Sequence, residues 1–247
     1  MDIEETPLYR YYSLESFIYL TTSRRLRFSK IKDWPDKFEG INYEYSEKMV
    51  NNDTEVDTDN IFGLCWTQEI DIKECYLDNK IYQEANSKLQ RDGSPALFGQ
   101  YCGNIGVRVK TTLGKIIAKI NTYIGSKANI TLEHGPVSYF SYFNIRKNTV
   151  KSLFDKFSAY RYEAEYRFLL INSCPPDGTI EIDIGDPFDF FDEYLISPAT
   201  KNNAWMAKAL YNACIPVFQN MDVNSKNRKQ FCRISQLYGN ISEELGL

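Results

Sequence analysis

The sequence predicts one α+β domain with a mixed, largely antiparallel sheet flanked by helices. Three observations carry that expectation. Residues 8–29 read as strand, helix and strand in quick succession. Two later stretches, IGVRV at residues 105–109 and TIEIDIG at residues 179–185, alternate apolar and polar side chains at the period of two that a half-buried strand requires. Residues 113–124 place Leu113, Ile116, Ile117, Ile120 and Ile124 at i, i+3, i+4, i+7 and i+11, which is one face of an amphipathic helix. No internal repeat, low-complexity tract or Pro/Gly-rich linker interrupts the 247 residues, so nothing argues for a domain boundary.

Taken in order, LYRYY at residues 8–12 reads as a short strand, with Ser13 as the N-cap of a helix running to about Thr22. Leu14, Phe17, Ile18 and Thr21 share one side of that helix. LRFS, residues 26–29, is the next strand. WPDKFEG, residues 34–40, is rich in turn formers yet carries two large aromatics, which predicts a loop pinned to the body. Residues 51–60 are polar and acidic and are expected to form a mobile loop. The continuous apolar run of residues 61–66 predicts a buried strand. Leu77, Ile81, Ala85 and Leu89 recur every fourth residue, predicting a peripheral helix over residues 76–90 that Gly93 and Pro95 end. Residues 96–101 make a short helical turn before the strand at 105–109, and Thr112 caps the helix that follows. The aromatic run 136–143 predicts a strand, 150–159 a short helix, 162–171 a strand, 194–196 a further strand, and 202–214 a helix burying Trp205, Met206, Ala209 and Leu210.

Composition bounds what such a chain can do. Apolar residues make up 43% of it, enough for a sizeable core, and 18 tyrosines supply rings that either pack with a bonded hydroxyl or line a ligand groove. The net charge of −4 and a pI near 5.3 give no global attraction to nucleic acid or to an anionic membrane. No apolar run approaches the ~20 residues a membrane span needs. Six scattered cysteines without a C-x-x-C pair, and no signal peptide, predict a reducing cytoplasmic setting. His134 is the only histidine, which excludes most zinc schemes, and its LEHGP context reads as a turn.

The segment YEAEYR, residues 162–167, concentrates the chemistry. On a strand, the period of two aims Glu163, Glu165 and Arg167 at one face and packs Tyr162, Tyr166 and Phe168 on the other. A carboxylate fixed there can hydrogen-bond a sugar hydroxyl and stabilise an oxocarbenium-like transition state, while Arg167 lines the same wall. A cross-strand ion-pair ladder with no chemistry uses the same residues. Arg10, between tyrosines on the first strand, can clamp a pyrophosphate or can be buried against an acid. Ser29 can bond a ribose or cap a turn. Tyr11, Tyr12, Tyr101 and Tyr160 can stack on a base or belong to the core. No Gly-rich phosphate loop, HExxH, GxSxG or kinase signature is present, and no metal site is expected. Asp36, Glu39, Glu163 and Glu165 leave a metal-dependent nuclease as an alternative.

The order of these segments resembles a bacterial family catalogued as a domain of unknown function, family 2971. Its pattern runs through an aromatic-basic-aromatic strand, a strand ending Phe-Ser, an F-N-D-P-F-E loop, a Trp-x-x-Tyr helix before a Gly-Val strand, and K-x-x-x-W-x-Y-E-x-E-Y-R. Here these read LYRYYS, LRFS, WPDKFEG, FGQYCGNIGV (residues 98–107) and KFSAYRYEAEYR (residues 156–167), about two-thirds of the chain. Pro35, Lys37, Phe98 and Tyr160 depart from the pattern. The family in turn resembles the ADP-ribosyltransferase superfamily, and that resemblance implies a fold and a site. Arg10 would hold phosphate or ribose, Ser29 the nicotinamide ribose, and Tyr12, Tyr101 and Arg167 would complete the NAD site. Glu165 would be the catalytic carboxylate and Glu163 would orient the acceptor.

The resemblance therefore implies an NAD-consuming enzyme of bacterial anti-phage defence or toxin type, with NAD as substrate. It would transfer ADP-ribose to a protein or nucleic-acid acceptor, or hydrolyse NAD; whether an antitoxin or other partner protein accompanies it is left open by the sequence. The alternative from another class is a non-catalytic module that binds a nucleotide or a protein.

Overall fold

The computed structural model describes residues 3–34, 58–68, 79–125, 127–140, 153–200, 202–220 and 232–237. In chain order the strands are β1 (Pro7–Ser13), β2 (Arg25–Lys30), β3 (Ile61–Thr67), β4 (Gly106–Thr112), β5 (Ile130–Pro136), β6 (Ser138–Phe140), β7 (Asp155–Phe157), β8 (Glu165–Asn172), β9 (Ile180–Asp183), β10 (Glu193–Ile196) and β11 (Cys232–Ile234). The longer helices are α1 (Leu14–Ser23), α2 (Asn79–Asp92), α3 (Leu113–Ile124) and α4 (Ala204–Asn220). The fold is α+β with mixed, largely antiparallel pairing. Contacts gather the chain into two compact units: Met1–Arg25, Glu69–Ile116 and Ile184–Leu247 form one, and Leu26–Gln68 with Ile117–Asp183 form the other.

In the first unit the strand order is β11-β10-β4-β1. β4 pairs antiparallel with β1 from Gly106↔Ser13 to Thr112↔Pro7, and with β10 from Val107↔Ile196 to Lys110↔Glu193, while β10 and β11 run parallel. β4 is covered on both faces, so its alternating sequence does not give it a wet face. Arg108, which reads as a polar outward position, is 2% exposed. Its guanidinium donates to Glu193 Oε1 at 2.6 Å and to the carbonyls of Leu89, Gln90 and Arg91, and it lies over the Tyr9 ring. A buried cation persists where an acid and carbonyl oxygens take up its terminal Nη donors, because desolvation alone would be prohibitive; among the described residues its Nε has no hydrogen-bond partner.

Ser13 caps α1 as the sequence predicts, its hydroxyl accepting from Ser16 N at 3.3 Å. Phe17 and Leu20 form the buried face of α1, whereas Ile18 stands half exposed. Thr112 likewise caps α3, whose Leu113, Ile116 and Ile120 are buried. Tyr11, Leu97, Phe98, Cys102 and Leu195 form one core cluster, with Tyr11 edge-on to Phe98 at 4.9 Å and its hydroxyl accepting from Ser94 N at 3.0 Å. Gly93 (φ 83) passes so close to Phe98 that a Cβ would lie 2.6 Å from its ring. On α4 the buried positions are Ala207 and Cys214. Trp205 is 70% exposed and Ala209 is exposed, because each stands two positions from Ala207, about 200° around the helix from that face.

In the second unit the order is β5-β8-β3-β2-β9, with β8 between β3 and β5, both antiparallel to it. Ile61, Leu153 and Leu169 anchor its core, with Ile31, Phe154 and Ile171 packed against them. Three expectations change here. Residues 130–136, including His134, form the strand β5 rather than a turn: His134 pairs with Phe168, stacks on its ring at 5.8 Å, and its Nδ1 lies 2.8 Å from the Tyr166 hydroxyl. Pro136 fits because, among the described residues, β5 pairs only with β8 and no second strand needs its N–H. The described part of the predicted helix at 150–159 is instead the short strand β7 between 3-10 turns, since Asp155 and Lys156 are drawn into buried polar contacts. Finally, the strand expected from Tyr162 begins only at Glu165. Tyr162 and Glu163 close the 3-10 turn Ser158–Glu163, and Ala164 at φ 42 reverses the backbone before β8.

Residues 35–40, with Asp36 and Glu39, the acidic stretch at 51–57, the start of the predicted helix at 76–78, the end of the predicted strand at 141–143 and the start of the predicted helix at 150–152 lie outside the described residues. Among the described residues no helix is long and apolar enough to cross a membrane. Cys65, Cys102, Cys174, Cys214 and Cys232 all carry free thiols.

Candidate functional site

The YEAEYR segment builds a buried charge cluster inside the second unit. Glu165 and Arg167 stand two apart on β8, so strand geometry aims both at one side. Arg167 grips the carboxylate with two donors, Nε to Oε1 at 2.8 Å and Nη2 to Oε2 at 2.9 Å, and gives Nη1 to Leu153 O at 2.5 Å. Lys156, delivered by β7, adds Nζ to Glu165 Oε2 at 3.3 Å and to Glu163 Oε2 at 2.6 Å. Glu163, Glu165, Lys156 and Arg167 are 4%, 5%, 8% and 2% exposed, so two acids and two cations meet within the protein. Glu163 reaches Lys156 through the left-handed turn at Ala164 and not through a strand period.

Aromatic groups frame the cluster. Tyr139 accepts the Glu165 N–H at 2.8 Å, and burial pushes its own hydroxyl above the ordinary tyrosine value. The Lys156 ammonium lies 4.8 Å from the centre of the Tyr160 ring, and the Arg167 guanidinium 5.2 Å from that of Trp34. Trp34 donates Nε1–H to Ser29 Oγ at 2.9 Å, which links Ser29 to the cluster through an indole. Burial by itself would raise the Glu165 carboxyl. Arg167 first, then Lys156 and a hydrogen bond from the Cys65 thiol, outweigh it and hold the group at about 2.

Of the residues the sequence singles out, Ser29, Glu163, Glu165 and Arg167 come together in this network. Arg10, Tyr12 and Tyr101 belong to the first unit. There the Arg10 guanidinium lies over the Tyr12 ring at 5.1 Å. Tyr12 is 8% exposed and its hydroxyl is raised by burial, so it offers little face to a ring ligand. Tyr101 is 44% exposed and accepts from Gln100 Nε2. Lys156, Trp34 and Tyr139 are the members of the cluster that sequence reasoning passes over. Lys156 opens the motif block seven and nine residues before the two acids, an opposite charge at odd spacing that is the available signal.

The first unit also holds a cavity of about 500 Å³. One wall is the turn Pro95–Leu97 and the π-helical turn Phe98–Cys102 that follows it. The other is formed by Ser197, Pro198, Thr200, Asn202 and Asn203, with Met206 on α4. Asn203 ties the walls together: its Nδ2 donates to Asn104 O at 2.6 Å, and its Oδ1 accepts from Thr200 N at 2.6 Å. Ser197 Oγ accepts from Gly106 N at 3.1 Å. Cys102, the last residue of the π turn, has its thiol pushed up to about 12 by burial, which leaves it protonated and non-nucleophilic at neutral pH.

No protein-family model matches the chain, and no curated protein matches it.

Proposed function

We propose that this chain is a non-catalytic recognition module for a nucleotide-derived ligand, with the Glu163-Glu165-Lys156-Arg167 cluster as an internal brace. One observation carries the reading: Glu165 Oε1 and Oε2 are both taken by Arg167, and Oε2 also by Lys156, in a group that is 5% exposed. A carboxylate that stabilises a developing oxocarbenium ion must turn an oxygen toward the sugar and keep its negative charge uncompensated. Here two cations compensate it. The cavity in the first unit supplies the concave surface such a module needs, within the size range of small-molecule pockets.

An NAD-consuming activity is the second reading, and one observation favours it. Glu165 stays ionised at every physiological pH, the charge state that transfer or hydrolysis of ADP-ribose would require. A defence or toxin setting, a macromolecular acceptor and an antitoxin partner belong to this reading and rest on the motif order. The nuclease alternative draws on Asp36, Glu39, Glu163 and Glu165; the first two lie outside the described residues, and the other two are both engaged by Lys156.

Incubation with NAD labelled in the nicotinamide ring separates the readings. The recognition module releases no nicotinamide above the rate of free NAD, yet is stabilised in thermal-shift assays by part of the nucleotide. Release that Glu165→Gln abolishes in a folded protein would overturn it in favour of the enzyme.

A further inference from the structure

The geometry points to the Asp177–Gly178 peptide, in the loop between β8 and β9, as a site of spontaneous isoaspartate formation, and it sets that peptide apart from the other Asp-Gly step, Asp92–Gly93. The inference stands whichever functional reading of the chain holds.

The reaction needs only the chain and water. The Gly178 nitrogen attacks Asp177 Cγ, the new N–Cγ bond closes a succinimide ring, and the carboxyl hydroxyl leaves with the amide proton as water. Water then reopens the ring. Breaking the N–Cγ bond restores aspartate. Breaking the bond between the same nitrogen and the Asp177 main-chain carbonyl leaves isoaspartate, in which the backbone runs through the side chain and the α-carboxylate is free. No electrons are exchanged, and the water lost on closure is regained on opening. Glycine in the second position favours closure because it has no Cβ to crowd the attacking nitrogen.

The sequence holds two Asp-Gly steps and no Asn-Gly, and by residue order the two are equals. The fold separates them. Asp177 and Gly178 are both exposed, in a loop where residues 173, 174 and 176 are exposed as well. Gly178 stands at φ 94, a conformation that favours glycine, and a Cβ added there would meet no atom within 4 Å, so nothing packs over this peptide. The fixed points lie at the ends of the loop, where Asn172 and Ile180 are buried. An unpacked tip between fixed ends samples the backbone angles that ring closure requires.

Asp92–Gly93 is held at each reacting atom. Asp92 is 1% exposed, its Oδ2 accepts from Arg91 Nε at 2.9 Å, and its Oδ1 accepts from Arg233 Nη1 at 3.0 Å and from Gln236 N at 3.4 Å. Its carbonyl accepts from Ser235 Oγ at 2.6 Å. The nitrogen that would attack, Gly93 N, donates to Leu89 O at 2.8 Å. Closure at this step therefore has to break a buried network first, and it proceeds only from a locally opened state.

The test holds the folded full chain at neutral pH and physiological temperature over successive days, beside the same chain unfolded in guanidinium chloride. Isoaspartate is located by peptide mapping at positions 92 and 177. It is also counted by transfer of a labelled methyl group from S-adenosylmethionine with an isoaspartyl carboxyl methyltransferase. Asp177→Ser removes the electrophile at an exposed position, and the map reads both sites in the wild-type chain without any substitution. In the folded chain isoaspartate should accumulate at Asp177 at least about tenfold faster than at Asp92, and unfolding should bring the two rates together. Asp177→Ser should lose more than half of the methyl acceptance of the aged wild type. The proposal is overturned if Asp177 stays aspartyl in the folded chain, if Asp92 reacts there as fast as Asp177, or if Asp177→Ser accepts as much methyl as the wild type.

Discussion

Arg167 and Glu165, two residues apart on one strand, form a bidentate ion pair in which Nε meets Oε1 at 2.8 Å and Nη2 meets Oε2 at 2.9 Å, with both side chains almost wholly buried. Such a pair is self-contained: one strand supplies the acid, the base and the planar geometry that matches them. Lys156 and Glu163 then extend it into a buried charge network.

The Glu165 carboxyl, held at about 2, makes stability depend on pH in one direction. A carboxyl whose folded value is depressed contributes stability that is present above its unfolded value, about 4.5, and lost as pH falls toward the folded value. Asp92 acts with the same sign, since Arg91, the Gln236 N–H and Arg233 outweigh the burial that would raise it. Tm should therefore hold steady from about pH 7 to 5 and fall between about pH 4.5 and 2. Glu165→Gln should make that fall shallower, as read by circular dichroism. A slope identical to wild type would show that Glu165 is not the titrating group.

Breaking one member of the pair should cost more than removing both. Arg167→Leu leaves Glu165 buried with only Lys156 as a charged partner, at about 3–5 kcal/mol in urea denaturation. The double variant Glu165→Leu, Arg167→Leu leaves Lys156 paired with Glu163 and should recover at least half of that loss. Additive losses would deny the coupling.

Ala164 stands at φ 42 and sets the step between the 3-10 turn and β8. A left-handed conformation costs a residue with a Cβ about 1–2 kcal/mol, and glycine's greater unfolded-state entropy returns part of any gain. Ala164→Gly should thus raise stability by about 0.5–1 kcal/mol. A decrease would mean that the backbone at this position is not left-handed.

Gly63 lies under the Trp34 ring, where an added Cβ would come within 2.3 Å of Trp34 Cζ2. Gly63→Ala should push the indole off Arg167 and Ser29, costing about 1–3 kcal/mol and shifting tryptophan emission to longer wavelength. An unchanged spectrum and Tm would place Trp34 elsewhere.

Ser13→Ala removes the α1 cap and should cost about 1 kcal/mol, measured by chemical denaturation.

Much of the scaffold was legible from residue order because its causes are local. The Ser13 cap, the 3.6-residue stripe of α3, the apolar run of β3 and the alternation of β9 each act within a few residues, so they can be read without knowing any neighbour. Three features could not be read that way. Arg108 looks like the wet position of an alternating strand, and only cover on both faces of β4 buries it. His134 looks like a turn residue until β8 offers β5 a partner. The 150–159 segment carries no strand pattern, yet β7 forms there and brings in Lys156.

The candidate site divides along the same line. Residue order placed Glu165 and Arg167 on one face, which is a consequence of the strand period alone. Whether that acid stays available for chemistry or is neutralised depends on Lys156 from another strand, on Leu153 and Tyr139, and on the exclusion of water around all of them. Electrostatic free energy is a property of surroundings: one carboxylate is costly, reactive or inert according to the charges and the solvent within a few ångströms, and only the folded chain assembles those.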